Sequence, residues 1–234
     1  FSDQTDLVFN YGMFSFNTPN FVMRFLMGKT DYQLGVVPYS YFAMEYAERG
    51  SSVYQQVLNL TNEEKECLIR LLKENYLPAN RVYRYNYFYD NCTTRARDKI
   101  EESIQGKVVY PENEAEVSFR SILHEFMQDS HWSEFGIDLC LGSEADQPIE
   151  ERKQMFAPFY MLEAARGAMI HRGDTVVVNN PLPVIVLGIV TGRGDIISMD
   201  VITTGVAWER IVATIATVRF GDLGHTCLVG RCRS

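Results

Sequence analysis

A chain of 234 residues that is 46% hydrophobic and 22% charged is long enough to bury a core and too apolar to stay disordered. Its formal net charge of −8 disfavours nucleic acid as a partner, since phosphate binding needs concentrated positive surface, although a local basic patch around Arg95, Arg97 and Lys99 stays open. No stretch reaches the roughly 18 apolar residues of a membrane span, and in a chain that starts at Phe1 the lack of a visible secretion signal carries no weight.

LVFNYGMFSF (7–16) is apolar and aromatic without a helical period, which predicts a strand. Thr18-Pro19 then reads as an N-cap followed by a first-position proline, opening a helix with Phe21, Val22, Phe25 and Leu26 on one face and Gly28 as its stop. A second helix is expected from Tyr39 to Glu48, with Phe42, Ala43 and Tyr46 inward. Thr61-Asn62-Glu63-Glu64 is a capping box, and Leu68, Leu71 and Leu72 form the buried face of the helix it opens, which Pro78 ends.

Next comes YRYNYFYDNCTT (83–94). Tyr83, Tyr85, Tyr87 and Tyr89 alternate as in a strand, and the pattern halts at Asp90. Asn91 is a strong N-cap residue, after which Cys92, Ala96, Ile100 and Ile104 recur every four positions on one inward face until Gly106. SFRSILHEFM (118–127) and EERKQMFAPFYMLEAARGAM (150–169) are helical, with Pro158 splitting or kinking the second. From Asp174 valine, isoleucine and threonine dominate, and TVVV, PVIVLGIV, DIISMDVI, ERIVATIATVRF and HTCLV read as strands. Helices followed by strands predict an α+β fold, taken as one domain over 1–234, helix-rich over 17–170 and strand-rich over 174–234 plus 7–16.

Five cysteines leave at least one thiol over unless it pairs between chains. Cys67 and Cys140 are expected to be buried small hydrophobes, and Cys227 and Cys232 could pair with each other. Cys92 is the chemical candidate. In the first turn of a helix it sits beside amides with no internal partner, which carry partial positive charge. These favour a thiolate and could hold an oxyanion. The same placement also suits a cysteine that is merely packed. Of four histidines, His124 lies in an amphipathic helix, His131 in a polar turn region and His171 at a helix end. His225 follows Gly224 at the start of a strand, where papain-like sites carry their base. Asp6 and Asn10 are weaker candidates for a group that orients the imidazole.

FNYGMFSF, the tract from YQLGVVPYSYF through Gln55, Leu58 and Leu60, then YRYNYFYDNCTTRARD, FGIDLCLGSEAD and MFAPFYM resemble the Lnb N-terminal periplasmic domain, over residues 7 to about 165. That family is marked by an Asn-Cys-Thr and a Gly-His-Thr/Ser motif. The resemblance implies a permuted papain-like fold of the lecithin–retinol acyltransferase type, with helices packed on an antiparallel sheet. It implies a thiol acyltransferase that moves a fatty acyl chain through a cysteine thioester to the N-terminal amine of a bacterial lipoprotein. Cys92 is then the nucleophile, His225 the base, and Asn91 the residue that fixes the cysteine. No cofactor or metal is implied. The implied partners are a lipid acyl donor, a lipoprotein acceptor and a membrane surface, in the periplasm and with the full-length protein attached to the inner membrane. Gly-His-Thr normally precedes the FNYG strand; here it stands last, at 224–226, as a circular permutation would leave it. The series Phe14, Phe16, Phe21 and Phe25 could line an acyl groove, although core packing also explains it. Two other readings compete: a cysteine amidohydrolase or peptidase acting on cell-wall peptides, and a non-catalytic envelope domain that binds lipid.

Overall fold

The structure is a computed structural model and describes residues 6–14, 19–48, 53–112, 116–127, 131–173, 175–178, 185–187, 196–203 and 211–217. It is α+β. In chain order the elements are β1 (Leu7–Met13), α1 (Phe21–Leu26), β2 (Asp31–Pro38), α2 (Tyr39–Glu48), β3 (Val53–Val57), α3 (Asn62–Tyr76), β4 (Val82–Arg84), α4 (Cys92–Ser103) and β5 (Lys107–Val109). They continue with α5 (Phe119–Met127), α6 (His131–Cys140), a 3-10 turn (Ser143–Asp146), α7 (Glu151–Gln154), α8 (Pro158–Gly167), β6 (Met169–Arg172), β7 (Thr175–Val178), β8 (Ile185–Leu187), β9 (Ile196–Thr203) and β10 (Ile211–Thr217).

The main sheet runs β4-β2-β1-β9-β10-β3-β8, and every neighbouring pair in it is antiparallel. β9 and β10 are therefore inserted between β1 and β3, while β8 forms the edge beyond β3 and β7 joins β5 and β6 in a separate three-stranded sheet. Alternation along β1 sets the two faces. Phe9 and Tyr11 join Tyr32, Leu34, Leu68, Leu72, Cys92, Ala96, Ile100, Met161 and Leu162 in the principal core, beneath α3, α4 and α8. Val8 points the other way, onto Phe42 and Tyr46 of α2. A third cluster, with Phe119, Ile122, Leu123 and Phe156, holds α5 and the segment after α7, and Phe88 packs against it.

Local chemistry explains several of the helix boundaries. The Thr61–Glu64 capping box is formed, with the Glu64 amide donating to Thr61 Oγ1 at 3.2 Å and the Thr61 amide donating to Glu64 Oε2 at 2.8 Å. Glu64 Oε1 also accepts from the Gln105 amide at 2.9 Å and from Arg172 at 2.6 Å, so one buried carboxylate ties α3 to the β5-β6-β7 sheet. Pro158 opens α8 as its first residue, which is where proline costs nothing.

Several expectations are corrected. α1 begins at Phe21 behind Asn20, whose φ is 57° and whose side chain makes no cap bond; Pro19 lies in the preceding turn, and Thr18 lies outside the described residues. The tyrosine run is a strand only through Arg84. Asn86 Oδ1 then accepts from the amides of Phe88 and Tyr89, folding Tyr87–Tyr89 into a turn closed by an Asn86–Asp90 bridge. α4 stops at Ser103, and Gly106, φ 132°, belongs to the turn into β5. β2 was masked in the sequence by Gly35, and α6 by its irregular pattern. His131 opens α6 and His171 lies on β6 rather than at a helix end. Cys140 is exposed and Cys67 half-buried, because α6 is a two-faced surface helix and Cys67 lies at the edge of the α3 apolar face.

Candidate active site

Cys92 is the first residue of α4, as the sequence predicts, and is 4% exposed. The helix start is built around Asn91. Its Oδ1 accepts from the Thr94 amide at 2.9 Å, and its own amide donates to Thr94 Oγ1 at 2.8 Å, a reciprocal capping box. Its Nδ2 donates to the carbonyl oxygens of Tyr87 and Phe156, both at 2.9 Å. Asn91 thus joins the tyrosine turn, the helix start and the segment before α8. The side chain is committed to structure, as the helix cap the sequence predicts.

Around the cysteine the sequence alternation has left a wall of phenols. Burial and, next in size, the charge of Cys92 push the hydroxyls of Tyr83, Tyr85 and Tyr87 up, Tyr87 to about 12; Tyr32 is raised by the same two causes in the same order. Tyr87 itself is 41% exposed. Tyr83 donates to the Tyr11 carbonyl at 2.6 Å, and Arg95 stacks 3.8 Å from the Tyr83 ring centroid while pairing with Asp90 at 2.6 and 2.7 Å. Tyr32 and Tyr85 stack at 4.0 Å. A second aromatic layer lies beyond: Phe14 on Tyr32 at 4.7 Å, Phe21 on Phe14 at 5.3 Å, and Phe25 against Tyr85 and Tyr87 at 5.8 and 6.5 Å. Sequence reasoning saw the tyrosines and gave them no place around the thiol; their position just ahead of an N-capped cysteine was the available signal.

An apolar cleft of about 30 Å³ is lined by Leu58, Leu60, Ile100, Ile104, Tyr110 and Met161, among others. It lies at the other end of α4, roughly 12 Å from the cysteine at 1.5 Å per residue, and has room for about one water. The thiol therefore does not open into it. Next to Cys92, the Thr93 hydroxyl is fully buried with no hydrogen-bond partner among the described residues.

His225 lies outside the described residues, as do Cys227 and Cys232. Asn10 spends its Oδ1 on the Gly12 amide at 2.6 Å, and the Asp6 carbonyl accepts from the Tyr39 amide at 2.9 Å. The basic patch does not form: Arg95 pairs with Asp90, Arg97 with Asp98 and Lys99 with Glu102. His124, Glu134 and Asp138 bring ligand atoms within 4.8 Å of one another. Both Asp138 oxygens already face His124 Nε2, at 2.9 and 3.0 Å, and Arg120 also holds Asp138, so the group serves as the α5–α6 ion-pair network.

A family model described as the Lnb N-terminal periplasmic domain matches residues 1–124, a span that includes the capped Asn91-Cys92-Thr93 turn. The chain belongs to the Lnb N-terminal periplasmic domain family. The Lnb description makes the domain a periplasmic one. Neither the curated proteins nor the solved structures give a match.

Proposed function

We propose that this Lnb domain is a thiol acyltransferase of permuted papain-like type. What supports the reading is Cys92 at the head of a 12-residue capped helix, under a wall of tyrosines, in a chain of this family. In this reading His225 takes the Cys92 proton. The thiolate attacks the ester carbonyl of a lipid donor, and first-turn amides hold the oxyanion. The Thr94 amide is committed to Asn91 and the Arg95 amide to the Asn91 carbonyl, so the amides ahead of them serve this role. Collapse expels the lysolipid alkoxide, which takes the imidazolium proton, and leaves an acyl thioester on Cys92. The amine of a lipoprotein's N-terminal cysteine then attacks the thioester, His225 accepts its proton, and an amide and the restored thiol result.

The test is incubation with a phospholipid donor and a synthetic diacylated lipopeptide. The expected products are a triacylated lipopeptide and a hydroxylamine-labile acyl adduct on the Cys92 peptide, both absent in Cys92→Ala. Release of a peptide fragment from cell-wall substrates, with the lipopeptide unchanged, would make the protein an amidohydrolase. Lipid binding with neither product, and unaffected by alkylation of Cys92, would make it a non-catalytic lipid-binding domain.

A further inference from the structure

Acyl transfer requires a lipid ester to reach the sulfur of Cys92, a residue only 4% exposed, so part of the wall has to move. The tyrosines are anchored: Tyr83 by its bond to the Tyr11 carbonyl, Tyr85 by its amide on the Thr30 carbonyl, and Tyr87 by the Asn91 bond to its carbonyl. α1 is held differently. Its described contacts to the rest of the fold are ring contacts, Phe21 on Phe14 and Phe25 against Tyr85 and Tyr87. Its backbone bonds are internal, from Asn20 to Lys29. Both ends of this six-residue helix bear left-handed backbone, Asn20 at φ 57° and Gly28 at φ 63°, conformations that mark sharp changes of chain direction.

The outer side of α1 is apolar and basic. Met23 and Met27 stand 58% and 52% exposed. Between Asp6 and Asp31 the chain carries no acidic residue, while it carries Arg24 and Lys29, in a protein of net charge −8. Among the described residues, neither Arg24 nor Lys29 has a carboxylate partner, whereas Arg84, Arg95, Arg97, Arg120, Arg152, Arg166 and Arg172 each have one. Arg24 spends one nitrogen on the Lys29 carbonyl, and its Nε is buried with no partner among the described residues. Exposed apolar side chains beside unpaired cations complement one kind of partner, a bilayer surface bearing anionic phosphates.

We propose that α1 is a lipid-docking lid. Its Met23, Arg24, Met27 and Lys29 surface seats on an anionic bilayer, and the shift carries Phe21 and Phe25 off the tyrosine wall, opening Cys92 on the side where its lipid substrate lies. The idea rests on the acyltransferase reading for its purpose, but its readout is thiol access rather than transfer.

The experiment measures alkylation of Cys92 by soluble iodoacetamide, quantified on the Cys92 peptide by mass spectrometry, with and without vesicles. The vesicles are phosphatidylethanolamine–phosphatidylglycerol built from dialkyl ethers, which have no ester to acylate the thiol, with ether phosphatidylcholine as the neutral comparison. Anionic vesicles are expected to speed alkylation by about tenfold or more, and neutral ones to do little. Lys29→Glu, at the cation whose side chain is exposed, is expected to cut the acceleration severalfold and leave the rate without vesicles unchanged. Phe25→Ala, with its fold checked by circular dichroism, is expected to raise the rate without vesicles. A Cys92 rate indifferent to anionic vesicles, or a charge-reversed variant that responds as fully as the parent, overturns the lid. Acyl transfer in detergent by that same protein would leave the acyltransferase reading standing. A gated thiol with no transfer would do the reverse.

Discussion

Asn91 Nδ2 donates to the carbonyl oxygen of Phe156 at 2.9 Å across 65 positions of sequence. The same side chain caps α4 and holds the Tyr87 carbonyl, so three segments meet on one amide. Asn91→Ala removes a cap and leaves two carbonyls without a donor. The expected loss is about 3 kcal/mol in urea unfolding. Asn91→Asp keeps the capping oxygen, loses both donors and should fall between. A loss for Asn91→Ala under about 0.5 kcal/mol would refute the positioning role.

The phenols report on the cysteine. Burial first and the Cys92 charge second hold Tyr32, Tyr83, Tyr85 and Tyr87 above their ordinary value. Removing that charge in Cys92→Ala should move the alkaline tyrosinate absorbance transition to lower pH; an unmoved curve would mean that the rings do not surround the thiol. Because the native phenol values are raised, their stabilisation is complete below an unfolded value of about 10 and is lost as pH climbs above it.

Glu64 should govern the acid limb. Burial works against its ionised form, but the Thr61 amide, Arg172 and the Gln105 amide together outweigh burial, and its carboxyl is held below the usual range. The depressed native value means that the stabilisation is present above an unfolded value of about 4.3 and disappears as pH falls through the native one. Glu64→Gln is expected to cost about 3 kcal/mol at pH 7 and to flatten the loss of stability below pH 4.3, as followed by urea midpoints. A variant whose acid limb stays as steep as that of the parent contradicts this.

Thr93 carries the opposite sign. Its buried hydroxyl has no partner among the described residues, so Thr93→Val, of nearly the same shape, should raise stability by about 1 kcal/mol. Thermal denaturation measures it, and a destabilised variant would show that the hydroxyl does have a partner.

Patterns complete within one turn or one helix were legible in the residues: the Thr61–Glu64 capping box, the Asn91 N-cap, the four-residue recurrence from Cys92 to Ile100, the Pro158 break, and the strand character of 175–178 and 196–203. Such features are set by bonds among neighbours in the chain, and neighbours are what a sequence displays. The α+β class followed from the same signals. The insertion of β9 and β10 between β1 and β3, the Asn91–Phe156 bond, the shared carboxylate of Glu64 and the tyrosine wall under α1 were decided only in three dimensions. Each joins residues distant in sequence, where burial and shape choose the partner and no local spacing encodes it. The surroundings of Cys92 divide along the same line: its place at a helix start was written in Asn91, while its enclosure by aromatic rings came from segments that meet only when the chain is folded.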